Sequence, residues 1–97
     1  MDRKIANEFA SNNILRLLKE RGINHLHIQS RGDHLMLYSL EDEEKNNRVR
    51  FTRLSVNIYQ LSIANHQGRW EKTPFTGTIP ELVEMLFEQL SFVLAEY

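Results

Sequence analysis

Residues 26–37 read Leu26-His27-Ile28-Gln29-Ser30-Arg31-Gly32-Asp33-His34-Leu35-Met36-Leu37. Apolar and polar side chains alternate on both sides of Arg31-Gly32-Asp33, and a period of two marks a half-buried strand. A two-residue turn here, whether Arg31-Gly32 or Gly32-Asp33, pairs even-numbered residues of the first strand with odd-numbered residues of the second. Leu26 and Ile28 then share a face with Leu35 and Leu37. His25, His27, Gln29, Met36, Tyr38 and Leu40 take the opposite face. Turn and pattern agree, so a hairpin over residues 23–30 and 34–40 has a defined core side.

Toward the N-terminus, Ile5, Ala6, Phe9, Ala10, Ile14, Leu17 and Leu18 recur at steps of three and four, which predicts an amphipathic helix over residues 3–21. Lys19 and Arg21 complement its dipole, and Gly22 supplies the left-handed residue that ends it. Asn13 interrupts the stripe. In the other direction, residues 41–47 contain no apolar side chain and are expected to form a mobile charged connector. A second hairpin is expected over residues 48–54 and 58–64, turning at Ser55-Val56-Asn57 with Asn57 left-handed. That turn pairs Phe51 with Leu61 and Val49 with Ile63, and sends Arg48, Arg50, Thr52, Gln60 and Ser62 outward. Residues 69–76 form a candidate fifth strand, which Pro74 confines to a sheet edge.

Thr78-Ile79-Pro80-Glu81 carries a capping box, with Thr78 as N-cap and Glu81 three residues on. The helix it opens is expected to reach residue 96, burying Leu82, Val83, Leu86, Phe87, Leu90, Val93 and Leu94. Met85 and Phe92 lie beside that stripe. The resulting fold class is α+β: a helix, an antiparallel meander of four to five strands, and a helix. Both helices are expected on one face of the sheet, giving a two-layer sandwich with the other face open.

The 97 residues suit a single domain, and 41% hydrophobic against 26% charged residues is enough apolar material for one core. There is no cysteine, which excludes disulfides and thiolate metal sites and fits a reducing compartment. Neither a signal peptide nor a membrane-spanning apolar run is evident, so the expected location is the cytoplasm. Formal net charge is −1, but it is unevenly spread. Residues 73–97 hold Glu81, Glu84, Glu88 and Glu96 and no Lys or Arg, whereas residues 1–72 carry twelve Lys/Arg against nine Asp/Glu.

Candidate chemistry is sparse. His25, His27 and His34 share a face with no Asp or Glu on their strands, so no metal site is expected. The four glycines at 22, 32, 68 and 77 are isolated, which excludes a phosphate loop, and no serine sits in a nucleophile elbow. Neither a cofactor nor enzymatic activity is expected. Gly68 to Thr78, which holds Trp70, Pro74 and Phe75, is expected to anchor an irregular connection onto the core. The leading expectation is a small interaction or regulatory module that binds a protein partner or a second copy. Met36, Tyr38 and Leu40 on the open sheet face, with Met85 and Phe92 beside the acidic helix, are its candidate interface. The alternative expectation is a single-stranded nucleic-acid-binding domain, in which His25, His27, Arg31, Arg48 and Arg50 surround Tyr38.

Overall fold

The computed structural model describes residues 3–95. In chain order it contains α1 (Arg3–Glu20), β1 (His27–Arg31), β2 (His34–Glu41), β3 (Glu44–Arg53), β4 (Tyr59–Ala64), β5 (Trp70–Gly77) and α2 (Ile79–Gln89), followed by a 3₁₀ turn at Ser91–Leu94. The strands form one antiparallel meander in the order β1-β2-β3-β4-β5. Both helices cover the same face and touch each other. The core between the layers joins Ala10, Ile14, Leu18, Leu82, Val83 and Leu86 of the helices to Leu35, Leu37, Val49, Phe51 and Leu61 of the sheet. These residues are the period-3.6 and period-2 positions that the sequence assigns to the inside.

The first hairpin turns at Gly32-Asp33, with Arg31 opposite His34, Ile28 opposite Leu37 and Ser30 opposite Leu35. Gly32 holds φ of 59°, a left-handed conformation that costs glycine nothing. The second expected pairing also holds, with Val49 opposite Ile63 and Phe51 opposite Leu61. Its turn does not follow the expected form. Arg53 and Tyr59 are the last pair, and the wider connection closes when Leu54 N donates to Ile58 O at 2.8 Å. Asn57 is not left-handed: the positive φ values of non-glycine residues among those described belong to Asp42 and Glu43.

Those two residues correct a larger expectation. Residues 41–47 are no mobile connector. β2 continues to Glu41, β3 starts at Glu44, and Asp42 and Glu43, with φ of 51° and 68°, make the two-residue left-handed turn between them. The strand ends here extend past the core, so Glu44, Lys45 and Asn46 are exposed and need no apolar pattern. Between Leu37 and Tyr38 the β2–β3 register slips by one residue: Leu37 faces Val49, but Tyr38 faces Asn47. Arg48 is the extra residue of this bulge. A bulge places two neighbouring residues opposite one partner and re-aims a side chain. Arg48 is thereby turned away from the open face, and only 5% of it is exposed.

The fifth strand falls where expected, and the last helix begins as expected but ends early. β5 is an edge strand, with a register irregularity between Gln60 and Ser62 opposite the segment containing Pro74. Thr78 N donates to Glu81 Oε1 at 2.9 Å while Thr78 Oγ1 accepts from Glu81 N, completing the capping box. The Thr78 backbone N–H, and after it the Thr78 side chain, stabilise the ionised Glu81 carboxyl and hold it below its usual pKa. The helix stops at Gln89 instead of running to residue 96, because Leu90 leaves helical geometry at φ −129° and ψ 31°. The 3₁₀ turn that follows still brings Val93 and Leu94 into the core. The expected helix end at Glu96 lies outside the described residues.

Candidate functional site

Strand register assigns every side chain of the open sheet face. The pairs His27–Tyr38 and Tyr38–Asn47 on β1 to β3 and Ala64–Trp70 on β4 and β5 lie at one end of this face, and the next row runs Gln29, Met36, Arg50, Ser62, Lys72. A third runs Arg31, His34, Thr52, Gln60, Thr76, and Leu40 and Lys45 extend the face beyond Tyr38. The strand carboxylates Glu41, Glu44 and Glu71 fall on the helix side, by the same register that places Ser39 and Ile63 there. The open face therefore presents Arg31, Lys45, Arg50 and Lys72 with no acidic residue among its strand positions.

The planar groups of this face are held by cations. His27 stacks on Tyr38 with ring centroids 5.4 Å apart and planes inclined by 28°. Lys45 lies 4.6 Å above the Tyr38 ring and hydrogen-bonds Gln29. Toward the β5 edge the Arg50 guanidinium sits 5.0 Å from the Trp70 ring. Partial burial lowers the Arg50 pKa from its ordinary value, since desolvation disfavours the charged form. His34 Nδ1 and Thr52 Oγ1 are 2.9 Å apart in the third row. Trp70 corrects the expectation for its segment: it stands on the open face, while Phe75 alone of that aromatic pair packs against the core.

The sequence-predicted residues separate into several places. Met36, Tyr38 and Leu40 share the open face as expected, with the first two half-buried and Leu40 exposed at 54%. Met85 and Phe92 belong to the helical layer and do not join them. His27, Arg31 and Arg50 occupy the open face, and His25 precedes β1. Arg48 does not belong to this set. Its Nη1 donates to Val93 O at 3.0 Å and Ala95 O at 2.9 Å, its Nε donates to Ser39 Oγ at 3.1 Å, and Glu41 lies 3.4 Å from Nη2. It ties the chain end to the sheet. Among the described residues, no cluster of three or more His, Asp or Glu could hold a metal ion, and no helix is long and apolar enough to cross a membrane.

A second surface escaped the sequence pattern. Asn7, Ala10, Ile14 and Leu18 are the buried stripe of α1, so Ile5 and Phe9, expected in the core, face outward. Phe9 is 68% exposed, and Val56, across from it on the β3–β4 turn, is 88% exposed. Together with Ala6, Tyr59, Ile79 and Pro80 they line a groove of about 940 Å³. Exposed Leu54 and Ile58 flank Val56, and exposed Ile5 lies one helical turn from Phe9. The groove carries Arg3, Arg16 and Arg53 at its margins, with Asp33 paired to Arg3 at 3.3 Å. Asn7 Nδ2 donates to Gly32 O at 3.0 Å and fixes α1 over the β1–β2 turn, which sets this rotation of the helix. The signal available in the sequence was Ser55-Val56-Asn57, which places a large apolar side chain at a turn with no partner strand position.

The chain matches no family model, and neither a curated protein nor a solved structure is significantly similar to it.

Proposed function

We propose that the protein is a small, non-catalytic interaction module of the cytoplasm that docks a protein partner in the groove between α1 and the β3–β4 turn. One observation carries this reading: Phe9 and Val56, both largely exposed, line one groove, and Leu54 and Ile58 beside Val56 in the chain and Ile5 one helical turn from Phe9 are exposed as well. A chain of this size has a limited stock of large apolar residues, and leaving these in water around one groove favours association. The arginines at the margin suit a partner whose apolar side chains are flanked by acidic ones. The cytoplasmic assignment rests on the absence of cysteine.

Compared with the groove, the open sheet face offers less exposed apolar surface, because Met36 is half-buried and Tyr38 is covered by His27 and Lys45. The test uses Phe9→Glu and Val56→Asp, both at exposed positions, with circular dichroism to verify folding. Sedimentation of the purified protein and affinity capture from its own cells then report self-association and partner binding. Association lost in both variants supports the groove. A protein that stays monomeric, with a capture profile unchanged by either substitution, removes the reading.

A further inference from the structure

We propose that the open sheet face is a second, separate site, which binds single-stranded nucleic acid with bases stacked on Tyr38 and Trp70 and phosphates met by Lys45, Arg50 and Lys72. It goes beyond the docking groove and shares none of the lining residues.

Charge complementarity selects the ligand. The net charge of −1 averages over two unlike surfaces: Glu81, Glu84 and Glu88 lie on the helical layer, and the strand carboxylates point to that side too. The strand positions of the face left for a ligand carry cations and no carboxylate, so a polyanion is attracted by them, and the acidic helical layer on the other side does not cancel that attraction at Debye-length range. A polyanion without rings would leave the planar groups unexplained. Tyr38 on β2 and Trp70 on β5 stand on the same face at the same end of the strands, each beyond the row of Met36, Arg50, Ser62 and Lys72. Three strand spacings put them about 14 Å apart, so they serve different bases of one strand. In the adjoining row Ser62 is short and buried beneath its neighbours. Stacking on aromatic rings or guanidinium planes, with cations tracking the backbone, is how open sheets hold unpaired bases.

Each platform already has its cation. Lys45 stands over Tyr38 and Arg50 beside Trp70, so a base that takes a ring displaces the flexible cation from it and brings its own phosphate next to that positive charge. The Arg50 guanidinium is partly desolvated in the free protein, and an arriving phosphate offsets that cost. Arg48, which sequence alone places on this face, contributes nothing to it, whereas Lys45, Lys72 and Trp70 replace it.

The experiment is fluorescence anisotropy of labelled oligouridylate and oligodeoxythymidylate against the full chain over a salt series. Three phosphate contacts give a slope of about −2 in log affinity against log salt, or roughly a twentyfold loss from about 50 to about 200 mM. Lys45→Gln with Lys72→Gln, both at exposed positions, should flatten that slope and weaken binding of either oligomer. Tyr38→Ala and Trp70→Ala should each cost about ten- to a hundredfold, with Tyr38→Phe and Trp70→Phe retaining most of the affinity. Phe9→Glu should leave nucleic-acid binding unchanged, which separates this site from the groove. Absence of binding at the lowest salt overturns the proposal. So does binding that ignores loss of both rings, which marks a plain anion patch, or a protein partner found to occupy this face.

Discussion

Arg48 brings a charge into the interior, and the surrounding groups account for how it is tolerated. Two backbone carbonyls, Val93 O and Ala95 O, accept from one nitrogen, while Ser39 and Glu41 occupy the others. The carbonyls belong to the 3₁₀ turn and its C-cap, so the side chain closes the open end of the helical layer onto β2 and β3. Replacing Arg48 with Met keeps most of the apolar stem but leaves those carbonyls short of a donor. A loss of about 2–4 kcal/mol is expected from hydrogen bonds made to a charged group. Lys is expected to recover little of it, because an ammonium cannot reproduce the planar fork that spans these acceptors. Chemical denaturation of Arg48→Met and Arg48→Lys measures both, and hydrogen exchange at residues 91–95 should rise more than at Leu37 or Phe51. Unchanged stability in Arg48→Met would mean that the clasp contributes nothing beyond packing.

At the scale of elements, the β2–β3 hairpin shows where sequence pattern stops informing. The strands around Gly32 and the pairing of Phe51 with Leu61 were legible because one face of each is buried, and burial imposes alternation. Beyond Leu40 the hairpin outruns the core. Its polar run 41–47 then looks like a loop, although paired backbone continues through Glu41 and Glu44. The turn also lacks the Asn-Gly signature, since Asp42 and Glu43 take the left-handed positions that side chains disfavour. The same stretch hides the bulge, and one residue inserted opposite Leu37 and Tyr38 is enough to send Arg48 to the opposite face. No periodicity records such a slip. If the left-handed pair is a local cost carried by the hairpin, Asp42→Asn with Glu43→Gly should raise stability by about 1 kcal/mol. Thermal or urea unfolding checks this, and a decrease would show that the acidic side chains make contacts that outweigh the backbone relief.

Taken whole, the molecule is two layers whose outer faces differ in charge and in kind. The helical layer, the open sheet and the exposed groove were unequally visible beforehand. The two-layer order followed from two amphipathic helices bracketing alternating strands. The open sheet face followed from it, so Met36, Tyr38, Leu40 and Arg50 were placed together from sequence. The groove did not follow, because the rotation of α1 is set by Asn7 on Gly32 O, a long-range polar contact that a hydrophobic stripe cannot reveal. Net charge hides the asymmetry, but a matrix senses the side that approaches it. Near neutral pH the chain carries −1 overall, and a uniformly charged protein of that sign would pass a sulfonated cation-exchange column. Retention at low salt is expected instead, because the sheet face can approach the matrix with Arg31, Lys45, Arg50 and Lys72 while the glutamates of α2 point away. Lys45→Gln with Lys72→Gln should bring elution to markedly lower salt, and Phe9→Glu should move it far less, since it adds its charge away from that face. Flow-through of the unmodified protein at low ionic strength would mean that four cations on three of the five strands are too dilute to act as one surface. A nucleic-acid strand would then find no more purchase there than the matrix does.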